Sequence, residues 1–355
     1  MHNNYLEIVL DNKIYYQRTP NSKFTEFTLD GIKLNTYDQL PKEIKDIAEE
    51  MIASEENPND YFEYRIIEDE VLITKITALS ATHIKIPTTI NGFPVTGLDN
   101  SIIPMGATIE QIQIPESVTF FNEACFSDAI NLRFVNIPAN ITKIPDFCFH
   151  SCYNISGVDF SNITEIGEYA FKNCHSFINI DLSSVEKIGA HAFDSCSFLK
   201  KIKFSPNLKI INNGTFKCCS GLEKLKLPEN LEKLEVSSFE DCFALCEINF
   251  PENLKTIGHF CFHRSGLTDI ILPNKLNYIG EFAFGRTSLK SIEINSKIKI
   301  EDSALIDCKN IKEIILADKS FYPKSLDIIH LNKVKVLTDE GDYISFNTEK
   351  RGEER

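Results

Sequence analysis

The stretch ISGVDFSNITEIGEYAFKNCHSFINIDLSSVEKIGAHAFDSC, residues 155–196, contains the same phrase twice. Ile155, Val158 and Phe160 recur as Phe177, Ile180 and Leu182; Ile166-Gly167 recurs as Ile188-Gly189; Phe171 and Cys174 recur as Phe193 and Cys196. Internal repetition on this scale is the mark of a stacked architecture and takes precedence over any local reading.

Extended in both directions, the opening phrase appears as IEQIQIP, LRFVNIP, ISGVDFS, FINIDLS, LKKIKFS, LEKLKLP, LCEINFP, LTDIILP, LKSIEIN and IKEIILA. These copies begin at Ile109, Leu132, Ile155, Phe177, Leu199, Leu222, Leu245, Leu267, Leu289 and Ile311, at steps of 22 or 23 residues. The first, fourth and sixth residues are apolar in every copy. Alternation of the fourth and sixth with polar neighbours is the two-residue period of a strand, so both point inward. Each strand is too short to bury itself, but stacking on the next copy makes a parallel ladder with a continuous interior. Pro115, Pro138, Pro228, Pro251 and Pro273 follow the sixth residue, where a missing N–H ends a strand.

A second signature is a Phe about twelve residues into each copy's remainder: Phe126, Phe149, Phe171, Phe193, Phe216, Phe239, Phe262 and Phe284. Before it stand Gly167, Gly189, Gly258 and Gly280, or Asn122 and Asn212, residues that tolerate positive φ, so a turn is expected there. The following A-F-x-x-C reads as one or two helical turns on the convex side. The fold class is therefore α/β, a leucine-rich-repeat solenoid of about ten to eleven coils with terminal caps.

The combined phrase L-x-x-I-x-L-P…I-G-x-x-A-F-x-x-C resembles the BspA-type leucine-rich repeat. IKIPTTINGFPVTGLDN, residues 84–100, resembles that family's entry repeat. The resemblance spans roughly residues 60–317 and implies adhesion or protein recognition, with no catalytic residues to carry over. Secreted or membrane-tethered members are common in the family, and neither device is visible here.

The flanks are different sequence. Residues 1–58 read as an N-terminal cap or small α+β segment, with YLEIV and KIYYQR as a hairpin and LPKEIKDIAEEMIAS as an amphipathic helix. FEYRIIEDEVLITKI reads as a second hairpin opening the solenoid, which covers residues 59–317. Residues 318–355 read as a C-terminal cap, KVKVLTDEGDYISFN, with a charged tail.

Composition narrows function. A net charge of -14 excludes a general nucleic-acid binder, which carries a basic excess. No run approaches the ~18 apolar residues of a membrane span. MHNNYLEIVLDNKIYYQR has no basic stretch before an apolar run, and the 11 cysteines are odd in number. Both favour a reducing compartment or leaderless export, unless a leader has been removed, which would place the chain on a surface or outside the cell. Cys152, Cys174, Cys196, Cys219, Cys242 and Cys308 fall three residues after the signature Phe or its equivalent Leu305, in a column shared with Ala, Ser and Thr. Such a column selects small, buried, unreactive side chains. His259-Phe-Cys261-Phe-His263 and Cys148-Phe-His150-Ser-Cys152 carry ligand-capable atoms, but a zinc site needs convergence. The histidines flanking Cys261 are expected to face solvent, so no metal, cofactor or catalytic residue is assigned.

The outward strand positions carry the binding expectation. Third residues include Phe134, Lys201, Lys224 and Asp269; fifth residues include Asp159, Asp181, Lys203, Lys226, Ile271 and Ile315. Lys201, Lys203, Lys224 and Lys226 come from adjacent coils and read as an uncompensated basic patch suited to an anionic protein surface. Phe134, Ile271 and Ile315 read as exposed apolar anchors, and Asp159 and Asp181 as an acidic pair. The expected function is non-enzymatic recognition of a protein on the concave sheet face. The alternatives are an exported effector or surface adhesin engaging host proteins and, further off, an enzyme with activity in the N-terminal segment.

Overall fold

A computed structural model of the chain describes residues 42–294, 297–301 and 303–316, together with the strands at 6–10, 13–17, 24–28, 31–35, 334–337 and 343–346. The tail after Phe346, and the turn expected at Glu340-Gly341, lie outside the described residues. The fold is a parallel solenoid of about eleven turns with little helix. It divides into two compact units: residues 1–141 with 152–159, and residues 142–151 with 160–355.

In the first unit, Leu6–Leu10, Lys13–Gln17, Phe24–Thr28 and Gly31–Asn35 form an antiparallel meander; the sequence reading found its first hairpin and missed its second. The helix Lys42–Glu56 follows. Its Ser54 hydroxyl accepts the Lys85 N–H at 2.9 Å and lies 3.0 Å from the Lys85 carbonyl, and Lys85 pairs with Glu55. Lys85 belongs to His83–Lys85, which is paired with Gln111–Gln113 on one side only, so the helix supplies polar partners for its other edge. The hairpin Phe62–Ile67 with Glu70–Ile76 forms as read, and its second strand pairs in parallel with Phe93–Leu98.

In the second unit, the coils build three ladders, although the segment at 267–273 forms no strand in the first. The first is built from the L-x-x-L-x-L segments, and the first residue of every copy from Phe177 to Ile311 is buried. It runs in separate pieces: Asn179–Leu182 with Lys201–Phe204, Lys224–Lys226 with Glu247–Asn249, and Ser291–Ile294 with Glu313–Leu316. Val334–Leu337 adds to the last piece in parallel and closes as a hairpin with Tyr343–Phe346.

The second ladder was not anticipated. Two-residue strands at Lys143, Glu165 and Lys187 pair in order, as do those at Ile210, Lys233, Thr256, Tyr278 and Lys299. In each, the second residue, from Ile144 to Ile300, points inward and is buried.

The third replaces the expected helical turns. Between the second ladder and the next coil, the backbone forms tight turns whose alternate N–H groups donate to the following coil. Tyr169, Phe171 and Asn173 donate to the carbonyls of Ala190, Ala192 and Asp194 at 2.8–2.9 Å. This geometry needs left-handed residues, and they recur in register: φ is 56° at Tyr169, 55° at His191, 57° at Gly214, 56° at Ser237, 56° at Phe260 and 58° at Phe282. A helix does not form because every second N–H reaches along the stack to the next coil, while those between, such as Lys172 to Tyr169 O at 3.1 Å and Cys174 to Phe171 O at 3.2 Å, close only three-residue turns.

The positive φ therefore falls two residues after the Ile-Gly glycines, not on them. Gly167, Gly189, Gly258 and Gly280 are required for a different reason. A Cβ on Gly258 would lie 2.7 Å from the Glu235 carbonyl carbon and 2.8 Å from the Val236 nitrogen, so the coils approach too closely for a side chain.

Inside the turns, Phe149, Phe171, Phe193, Phe216, Phe239, Phe262 and Phe284 stack face to face, with centroids 5.1–5.6 Å apart and planes within 12°. Phe160, Phe204 and Phe250 meet this column edge-on. Five residues separate Ile166 from Phe171, and the same interval holds from Ile188 to Phe193 and from Ile257 to Phe262. Between the first and second ladders the interval varies: eight from Ile180 to Ile188, nine from Ile202 to Ile211.

Candidate functional site

Four strands in the second unit, Asn179–Leu182, Lys201–Phe204, Lys224–Lys226 and Glu247–Asn249, line a groove of about 840 Å³ with their outward residues and with Ile180, Ile202, Leu225 and Ile248. Alternation puts Lys201 and Lys203 on one face of their strand and Lys224 and Lys226 on the same face of theirs, because Ile202 and Leu225 are drawn inward. The middle pair of strands, Lys201–Phe204 and Lys224–Lys226, is not joined in a ladder. The groove therefore straddles an interruption of the first sheet.

The four lysines are brought together as expected, but they are not uncompensated. Lys203 Nζ donates to Asp181 Oδ2 at 2.9 Å, and Lys224 Nζ sits 2.6 Å from Glu247 Oε2. Both pairs arise from register: Asp181 lies opposite Lys203, and Lys224 opposite Glu247. The Lys203 hydrogen bond, helped by the Ser183 hydroxyl and N–H, holds the Asp181 carboxyl at about 2. The Glu247 hydrogen bond raises Lys224 above the ordinary lysine value. Lys201 and Lys226 have no carboxylate within ion-pair distance among the described residues. The groove thus carries two answered ammonium groups and two unanswered ones.

The other residues singled out by sequence scatter. Asp159 is exposed and belongs to the first unit. Asp269 faces Lys290 at 3.6 Å. Phe134 is half-buried, its ring lying across Gly157 on the paired segment, where a Cβ would come within 2.2 Å of Cδ1. Ile315 is half-buried in its strand. Ile271 alone remains an open apolar side chain, 88% exposed. Its segment is not a strand, and the connection from Phe262 to Leu267 is one residue shorter than that from Phe239 to Leu245.

Three exposed apolar residues that alternation did not single out stand in the connections leading into these strands. Ile178 precedes the Asn179 strand, Phe198 the Lys201 strand and Phe243 the Glu247 strand, with exposures of 55%, 63% and 57%. For Ile178 and Phe198 the only signal in the sequence is a large apolar side chain at a position that is polar or small in other copies; Phe243 shares its position with Ile130 and Tyr153.

The cysteine column is buried and reduced in chemistry to hydrogen bonding. Cys174, Cys196, Cys219 and Cys242 donate to the carbonyls of Phe149, Phe171, Phe193 and Phe216, one coil back, at 3.2–3.3 Å. Burial pushes the thiols of Cys196, Cys219 and Cys242 far up, and that of Cys261 to about 12, so none supplies a thiolate near neutral pH. Ser265 holds the same position and its hydroxyl finds no partner.

His259 faces outward with its ring nitrogens engaged: Nδ1 accepts the Glu281 N–H at 3.1 Å, and Nε2 lies 3.1 Å from the Tyr278 hydroxyl. His263 contradicts the expectation of solvent exposure. It is 7% exposed, edge-on to Phe260 and Phe282, and burial lowers its basicity. Among the described residues no group of three or more His, Cys, Asp and Glu side chains is placed to hold a metal ion. No described helix is long and apolar enough to cross a membrane. The chain carries four Asn-x-Ser/Thr triplets, at Asn140, Asn154, Asn162 and Asn213, and three of these Asn side chains bond between coils: Asn140 donates to Glu116 O, Asn154 to Ile130 O, and Asn213 accepts the Val236 N–H.

No curated protein matches the chain. A leucine-rich repeat protein from Bacteroides ovatus has a similar structure, with 27% identity, a TM-score of 0.70, and 78% of this chain and 76% of that one covered. A leucine rich cell surface protein from Faecalibacterium prausnitzii is 18% identical over 78% of this chain and 93% of its own, with a TM-score of 0.48. A leucine-rich repeat protein of T. pallidum is 23% identical over 63% of this chain and 97% of its own, with a TM-score of 0.46. The BspA type leucine rich repeat region matches in six copies across residues 105–222 and 209–325. With well over half of its length so matched, the chain belongs to the BspA-type leucine-rich-repeat family.

Proposed function

We propose that this protein is a non-enzymatic recognition module that binds a protein partner on the outward face of its first ladder, centred on the lysine groove. Leucine-rich-repeat proteins generally bind proteins and are typically not enzymes. The observation that carries the reading is the groove itself: four adjacent strands bring charged and polar side chains together with Ile180, Ile202, Leu225 and Ile248 in one recess of about 840 Å³. The described thiols outside Cys218 and Cys246 are buried, which leaves little for nucleophilic chemistry.

The test is site-specific crosslinking to a partner captured by the full chain. A photoreactive residue at Asn249, inside the groove, is expected to crosslink; one at Lys187, on the second ladder, is not. Lys201→Glu with Lys224→Glu is expected to weaken capture while leaving the melting temperature unchanged. Crosslinks confined to Lys187, with capture indifferent to the lysine reversals, overturn the reading.

A further inference from the structure

The groove's charge, spacing and rim define the chemistry of what it takes. Of its four lysines, Lys203 and Lys224 are satisfied by Asp181 and Glu247. Lys201 and Lys226 are left, on neighbouring coils and two positions out of step. Such a diagonal is on the order of 8 Å between Cα atoms. In an extended peptide, side chains two residues apart lie on one face, about 6.6 Å from each other. Two carboxylates at that spacing match the two unanswered ammonium groups.

The segments leading into the strands add an apolar requirement. Phe198, Phe243 and Ile178 are each more than half exposed, and all stand just before the strands that line the groove. Large exposed apolar side chains on the segments that lead into a charged recess offer an anchor to go with its electrostatic register. The net charge of the chain, -14, selects against long polyanions, whose repulsion from the rest of the surface grows with every added phosphate or sulfate. A short segment with two acids and an apolar neighbour meets little of it.

We infer that the groove takes an extended acidic peptide segment of a protein partner, carrying two carboxylates two residues apart and a large apolar residue beside them. This rests on the recognition reading above and specifies the ligand of that same site. The carboxylates pair with Lys201 and Lys226, and the apolar residue packs on Phe198 or Phe243.

Selection of displayed random peptides on the immobilised full chain, followed by fluorescence anisotropy of the synthetic winners, tests it. Enrichment of an acid-x-acid pattern next to Phe, Tyr, Leu or Ile is expected. Lys201→Glu with Lys226→Glu is expected to cut affinity by roughly tenfold or more, and Phe198→Ser with Phe243→Ser to cut it separately. Asp181→Asn with Glu247→Gln releases the two answered lysines and is expected to tighten binding. All six positions are exposed or lie at the groove surface, and matched circular dichroism and melting verify the folded state. The inference is overturned by winners lacking the acidic pair, by no enrichment, by equal binding to the lysine-reversed chain, or by a labelled oligonucleotide or heparin binding the groove in the peptide's place. Failure here together with partner crosslinks from Asn249 leaves the recognition reading standing and removes only the acidic peptide.

Discussion

Lys203 reaches back one coil to Asp181, 2.9 Å away, and this contact sets the electrostatics of the groove. The pair is exposed on both sides, so it contributes little to stability. Its effect is on charge: Asp181 stays ionised down to about 2, while Glu247 keeps Lys224 protonated beyond the ordinary lysine range. A depressed carboxyl contributes stability above its unfolded value and loses it as pH falls through the folded one, so this pair changes only in acid. Binding of an acidic probe is therefore expected to be flat between about pH 6 and 9 and to weaken with added salt. A titration in which affinity swings across that range contradicts the assignment.

Thiol reactivity follows from burial. Among eleven free cysteines, Cys246 is exposed and Cys218 intermediate, and the rest are buried. A native-state reaction with a thiol reagent is expected to label Cys246 rapidly, Cys218 slowly, and the others only on unfolding. Mass-spectrometric mapping that finds Cys174 or Cys196 labelled in the native protein would sink this.

The thiol column also makes a stability prediction. Cys196 Sγ donates to the Phe171 carbonyl at 3.3 Å, and a hydroxyl on a shorter bond falls short of it, as at Ser265. Cys196→Ser is expected to destabilise by about 1–3 kcal/mol, the cost of a buried donor left without its acceptor. Ser265→Cys is expected to stabilise, since the longer thiol reaches toward the carbonyl one coil back. Chemical denaturation of both variants checks the pair, and opposite signs are required.

Gly258 and Ser237 separate two uses of glycine. Gly258→Ala pushes a methyl into the backbone of Glu235 and Val236, 2.7–2.8 Å away, and is expected to cost about 1–3 kcal/mol. Ser237 has φ 56°, so Ser237→Gly relieves left-handed strain and is expected to gain up to about 1 kcal/mol. Thermal melts that rank these variants the other way refute the close-approach account.

The phenylalanine column gives the largest expected effect. Phe193 stacks between Phe171 and Phe216 and touches Phe160 and Phe177 edge-on. Phe193→Ala is expected to cost about 3–5 kcal/mol, and Phe193→Leu markedly less. Equal losses would mean that ring stacking and volume count for nothing at this position.

The coils, their inward rows and the grouping of four lysines were legible in the sequence because each depends on periodicity alone. The second ladder was equally periodic, in Ile166, Ile188 and Ile211, but two-residue strands are too short to show alternation. The turns misled because A-F-x-x-C has helical spacing, while every second one of its N–H groups donates to the next coil, a partner no local window contains. The lysine patch was misjudged for a related reason. Asp181 and Glu247 are far from Lys203 and Lys224 in sequence, and only the parallel register sets them opposite. Ile178, Phe198 and Phe243 escaped because they stand outside the strand positions altogether.

The constant interval from Ile166 to Phe171, beside the variable one from Ile180 to Ile188, has a consequence for engineering. Length can be added or trimmed where the chain already tolerates a residue more or less, in 183–187 or 205–209, without moving any ring out of line. A single residue inserted between Ile188 and Phe193 would turn every later side chain of that arc to the wrong side. Grafted loops, tags or reporters therefore belong on the first kind of segment and never on the second.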